Sequence, residues 1–90
     1  MAKAPHILIC DDDPVIHESL GLYLTAERFT HSSAFDGEQA LQKAETDHPD
    51  LIILDLMMPR MTGTEVCREI RRHNTVPIIM LTAKGEEIDR

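Results

Sequence analysis

Three times along the chain a short apolar run stops at a carboxylate or a hydroxyl: His6-Ile-Leu-Ile-Cys10 before Asp11, Leu51-Ile-Ile-Leu54 before Asp55, and Val76-Pro-Ile-Ile-Met-Leu81 before Thr82. Runs of strand length, rich in β-branched residues and bounded by polar ones, predict buried strands. Their unbroken apolar character predicts a sheet covered on both faces. Pro77 sits near the start of its run, where a missing N–H costs the ladder least.

Helical patterns lie between the strands. Asp13 is placed to cap a helix that opens on Pro14, a position where proline has no N–H to leave unpaired. Ile16, Leu20, Tyr23, Leu24 and Glu27 follow at i, i+4, i+7, i+8 and i+11, which predicts a mostly apolar face that frays near Arg28. Phe29 to Phe35 reads as a weaker strand, and therefore as a sheet edge. Asp36-Gly37 closes it, and Ala40, Leu41 and Ala44 mark a second helix. After the loop from Leu56 to Gly63, a third helix carries Val66, Cys67 and Ile70 on one face. The last residues, Glu86 to Arg90, read as the opening turn of another helix.

Strands alternating with helices through short loops imply βαβ units: a parallel sheet, right-handed crossovers and helices on both faces. Ninety residues leave room for one domain. At 42% apolar residues, with no low-complexity run, a packed core is expected. A net charge of −7 opposes contact with a phosphate backbone by this segment, so any nucleic-acid contact falls to another part of the protein. The N-terminal residues lack an apolar signal region and the apolar runs are strand-length, which predicts a cytoplasmic chain with no membrane partner. Cys10 and Cys67 lie within apolar patterns, not in a C-x-x-C pair, and read as buried free thiols.

In open sheets of this kind the ligand sits beyond the carboxyl ends of the strands. Asp11, Asp12, Asp55 and Thr82 all leave strands at those ends and should converge. A lone strand-end aspartate is most often a turn or helix cap, and Asp13, followed by Pro14, is assigned that role. Several clustered carboxylates must either raise their pKa values or hold a cation. Oxygen ligands of this hardness suit Mg²⁺, which keeps several waters and is held by one or two carboxylates plus phosphate oxygens.

The series Ile-Leu-Ile-Cys-Asp11-Asp12-Asp13-Pro14, then Asp50-Leu-Ile-Ile-Leu-Asp55-Leu-Met-Met-Pro59 with Gly63, then Val76-Pro-Ile-Ile-Met-Leu-Thr82-Ala83-Lys84, resembles the receiver domain of two-component response regulators. The resemblance implies a flavodoxin-like doubly wound α/β fold with strand order 2-1-3-4-5. Here 2-1-3-4 would be present in residues 1–90, with the fifth strand and the helices on either side of it missing. It implies that Asp55 accepts a phosphoryl group from the phosphohistidine of a sensor histidine kinase. Asp12, Asp55 and the backbone carbonyl of Met57 would ligate Mg²⁺, Asp11 would act through water, Thr82 would donate its hydroxyl to the phosphoryl group, and Ala83 would leave it space. Phosphoryl transfer asks a protein for positioning and charge neutralisation above all, which such residues supply.

One departure stands out. The family takes a lysine from the end of its fifth strand, and Lys84, in the loop after Thr82, is not its equivalent. An unpaired edge on the fourth strand, expected to be central with both faces buried, would favour a homodimer or a strand-exchanged assembly. The ending from Thr82 to Arg90 resembles regulators with a winged-helix DNA-binding output.

The five histidines, His6, His17, His31, His48 and His73, share no ligand spacing and are expected at the surface or at strand ends. The methionines read as packing, and Arg68, Arg71 and Arg72 as a solvated helix face. Val15 and Leu22 fall off the first helix's apolar stripe, being either partly buried or, by the resemblance, part of a kinase-docking surface. A rival reading is a haloacid-dehalogenase-type phosphatase with Asp11 as nucleophile in Asp11-x-Asp13-x-Val15. Pro14 opposes it by opening a helix at once, and Asp55 with its Met-Met-Pro loop would be left without a role.

Overall fold

A computed structural model describes residues 4–81 of the chain. Four strands and three helices alternate: β1 (His6–Cys10), α1 (Pro14–Ala26), β2 (Thr30–Ala34), α2 (Gly37–Thr46), β3 (Leu51–Asp55), α3 (Gly63–Arg71) and β4 (Ile78–Leu81). The strands form one parallel sheet in the order β2-β1-β3-β4. The order reverses between β1 and β3, which places the crevice of such a sheet at the ends of these two strands.

Strand residues alternate between two cores. Leu8, Cys10, Ile52 and Leu54 face one way and pack with Ala40 and Ala44 of α2 and Val66 and Ile70 of α3. Ile7 and Ile9, with Leu51 and Ile53, face the other way and pack with Leu20 and Leu24 of α1 and with Phe29. Apolar residues at consecutive strand positions are thus needed on both faces, as the runs predicted.

Each helix begins on a side-chain cap. Asp13 accepts from Val15 N–H, Asp36 from Gln39 N–H, and Thr62 forms a reciprocal capping box with Glu65. The first helix ends on an αL turn: Arg28 has φ of 69°, its N–H donates to Thr25 O, and Phe29 N–H donates back to Leu24 O. This paired arrangement normally takes glycine at the left-handed position.

The structure corrects the sequence reading at several points. The buried stripe of α1 is His17, Gly21 and Leu24, while Tyr23 is 65% exposed. The cause is close packing on β2: a Cβ on Gly21 would stand 2.9 Å from His31 Cε1, so the helix seats its glycine there and turns Tyr23 outward. His17, within α1, is accordingly buried, contrary to the surface or strand-end position expected of the histidines. Phe29 lies before β2, not within it. Cys10 is buried, whereas Cys67 is only half-buried. Val15 and Leu22 are both exposed. In keeping with the unpaired edge expected of the fourth strand, β3 is the only strand partner of β4 among the described residues, and Ile79, Met80 and Leu81 are exposed. Thr82, Ala83, Lys84 and the helical turn expected at Glu86 to Arg90 lie outside the described residues.

Candidate functional site

The register of the sheet brings the acidic residues together. Cys10 pairs with Leu54, so the next residues, Asp11 and Asp55, emerge side by side at the carboxyl ends of β1 and β3. One ligand oxygen from each of Asp11, Asp12 and Asp55 lies within 4.8 Å of the others. Asp11 and Asp55 are only 8% and 7% exposed, while Asp12 is exposed. Among the described residues no lysine, arginine or histidine forms an ion pair with any of the three.

Burial pushes the Asp11 carboxyl above the usual range; the charges of Asp12 and Asp13 push the same way, against a hydrogen bond from Asp13 N–H and the nearby His17. Burial likewise raises Asp55, with Asp11 and Asp12 adding to it against the N–H groups of Met57 and Leu56. Both residues therefore sit in a site that disfavours their charged forms. Hard oxygen donors in that condition fit a divalent cation such as Mg²⁺, whose charge offsets their repulsion and their lost hydration.

Local backbone holds this geometry. Asp11 Oδ1 accepts from Asp13 N–H at 2.9 Å, and Asp55 Oδ1 from Met57 N–H at 3.2 Å. The loop after β3 is anchored by the buried Met58 and leaves Met57 outside. It then returns to the strand end, where Gly63 N–H donates to Leu56 O at 2.8 Å. A Cβ on Gly63 would stand 2.5 Å from Asp55 O and 2.8 Å from Leu56 Cα, so only glycine lets α3 begin this close to Asp55. At the neighbouring strand, Asp55 pairs with Leu81, and Leu56 N–H donates to Leu81 O at 2.8 Å. The end of β4 therefore borders the same crevice.

Of the residues expected in the site, Asp11, Asp12 and Asp55 are brought together, and Met57 lies beside Asp55 through its backbone. Thr82 falls outside the described residues. Asp13 is the helix cap it was expected to be. Cys10, next to Asp11, has its thiol pushed up to about 12, by burial first and the Asp11 charge second, and is no nucleophile.

A family model described as the response regulator receiver domain matches residues 7–90. The chain belongs to this family. It is 47% identical over 85 residues to the alkaline phosphatase synthesis transcriptional regulatory protein PhoP of Bacillus subtilis, covering 93% of this chain and 35% of that protein. It is 46% identical over 88 residues to the transcriptional regulatory protein BaeR of Escherichia coli O6:H1, covering 98% of this chain and 37% of that one. The receiver sequence thus spans little more than a third of the curated relatives it matches. Among solved structures, the receiver domain of the Francisella response regulator 1452 superposes with a TM-score of 0.84 at 31% identity, over 92% of this chain and 69% of that one. The response regulator TrrA of Thermotoga maritima, solved in complex with Mg²⁺-BeF, gives a TM-score of 0.82 at 42% identity, over 88% and 70%. The phosphatase alternative finds no support in these likenesses, whereas the receiver reading accounts for Asp55 as well as for Asp11 and Asp12.

Proposed function

We propose that Asp55 is the phosphoacceptor of this receiver domain, charged by the phosphohistidine of a sensor histidine kinase. The observation that carries this reading is the convergence of Asp55 with Asp11 and Asp12, their ligand oxygens within 4.8 Å of one another at the switch point of the sheet. An oxygen of the Asp55 carboxylate attacks phosphorus, the P–O bond of an acyl phosphate forms as the P–N bond breaks, and the departing imidazole takes up a proton. Bound by Asp12, Asp55 and the Met57 carbonyl, with Asp11 acting through water, Mg²⁺ would supply charge neutralisation for the phosphoryl oxygens. The backbone N–H of Met57 holds the Asp55 carboxylate in place. Thr82, following the strand that borders Asp55, donates its hydroxyl to the phosphoryl group. The protein acts as a phosphoacceptor that assists its own phosphorylation and dephosphorylation, not as an enzyme on a separate substrate.

The relatives named as transcriptional regulators support an output in gene control. At −7, this segment would leave DNA contact to another domain, and we place its work in the cytoplasm with its kinase partner. No described helix is long and apolar enough to cross a membrane. The test is chemical. Acetyl phosphate with Mg²⁺ should add about 80 Da, one phosphoryl group, to the intact protein. Asp55→Ala should abolish that gain, and labelling of the variant at full yield would sink the assignment.

A further inference from the structure

The segment carrying Asp11 and Asp12 leaves β1 as irregular backbone, and whatever fixes it decides where both carboxylates lie. Asp11 N–H stays on the ladder, donating to Ala34 O at 3.1 Å. The Asp11 carbonyl is met by a side chain: His17 Nε2 donates to it at 2.7 Å. The His17 ring is buried, stacks on Phe35 with centroids 4.1 Å apart and planes inclined by 30°, and has Nδ1 2.8 Å from Ser33 Oγ. A carbonyl only accepts, so Nε2 carries a hydrogen; in the neutral ring Nδ1 then accepts from the Ser33 hydroxyl. One imidazole from α1 is thereby clamped by the end of β2 and aimed at the end of β1.

Asp12 is held differently. It is exposed, and among the described residues no hydrogen bond restrains its carboxylate. Its direction depends on the peptide joining it to Asp11. That peptide is planar, so gripping its carbonyl fixes the whole plane.

We propose that His17 is a positioning residue of the cation site, setting through the Asp11 carbonyl the peptide plane from which the Asp12 carboxylate reaches the ion. This rests on the reading of Asp11, Asp12 and Asp55 as a Mg²⁺ site and extends it to a residue that touches neither ion nor phosphoryl group. Side chains that hold ligands from behind change metal affinity by roughly 10- to 100-fold when removed.

The experiment titrates the ¹⁵N-labelled intact protein with Mg²⁺ alone and reads affinity from backbone NMR shifts, with no phosphoryl donor present. His17→Phe keeps an aromatic ring against Phe35 but has no donor; His17→Gln restores a donor without the ring. A cooperatively unfolding His17→Phe should show its Mg²⁺ dissociation constant raised on the order of 10-fold, and His17→Gln should recover to within about threefold of wild type. A folded His17→Phe with wild-type affinity overturns the proposal. Should the variants not fold, the wild type decides: Mg²⁺ should move the His17 Nε2–H resonance together with the Asp12 amide. Saturation that moves the Asp12 and Asp55 amides and leaves His17 untouched overturns the role of His17 alone. No Mg²⁺-dependent shift at Asp11, Asp12 or Asp55 overturns the cation site itself, and the role of His17 with it.

Discussion

Asp11 and Asp55 lie in a place that disfavours their charged forms, and the consequence is a stability that runs opposite to the usual carboxylate case. Burial comes first among the causes for both, with neighbouring carboxylates next in the same direction. Their native pKa values lie above the unfolded ones, so between the two values the native state binds more protons than the unfolded chain. Stability contributed by this pair therefore falls as pH rises from the unfolded value of about 4 through the raised native value, and the full penalty applies above it. Removing one charge should help the metal-free fold. Asp55→Asn, which keeps an oxygen for Met57 N–H, should raise the thermal midpoint of the metal-free protein at pH 7. A gain on the order of 1 kcal/mol corresponds to roughly 4–8 °C in a domain of this size. The advantage over wild type should shrink as pH falls toward 4, and the rise in midpoint on adding Mg²⁺ should be lost. A lower midpoint for Asp55→Asn, or an undiminished response to Mg²⁺, would contradict the repulsive cluster read here.

At the scale of elements, α3 is tied to the site by its first residue. Gly63 meets the Asp55 carbonyl where a Cβ would stand at 2.5 Å, and the atoms it would strike are backbone and cannot swing aside. Gly63→Ala should then cost about 1–3 kcal/mol, the range of overpacking, in chemical denaturation. A Thr62→Ala variant, which loses only the cap, should cost about 1 kcal/mol and serves as the comparison. A neutral Gly63→Ala would mean that the loop from Leu56 gives way more easily than its hydrogen bonds suggest. The sequence made the strand ends legible because β1 and β3 are apolar on both faces and stop at aspartates, leaving register to bring Asp11 and Asp55 together. It misled on α1, where the buried stripe is a histidine, a glycine and a leucine. Hydropathy alone gives two of those three no weight. The spacing of His17, Gly21 and Leu24 at i, i+4 and i+7 was the signal available, but reading it needs the knowledge that β2 approaches closely enough to demand Gly21. β2 itself, Thr-His-Ser-Ser-Ala, was faint because its polar side chains are satisfied within the protein: Ser32 by Asp47 and His6, Ser33 by His17.

Across the whole molecule the two ends of the sheet contrast. β2 is polar, and Lys43 Nζ donates to the Ser33 carbonyl at 2.7 Å, so this flank carries the charge and side-chain cover that discourage pairing with another chain. β4 has neither protection. Ile79, Met80 and Leu81 are 49%, 40% and 37% exposed, and β3 alone pairs with the strand among the described residues. An apolar strand with an open ladder is a template for another strand, and its exposed side chains add to the attraction. A polypeptide of residues 1–90 made alone should therefore associate through β4, by edge pairing or exchange of elements, and light scattering should show a mass above that of the monomer that grows with concentration. Ile79→Lys, which places a charge on that strand, should shift the population back toward monomer without disturbing Asp11, Asp12 or Asp55. A polypeptide that instead stays monomeric at high concentration, unfolds cooperatively and still binds Mg²⁺ would show that β4 tolerates solvent along its edge, and that the sheet from β2 to β4 is a sufficient scaffold for the acidic site.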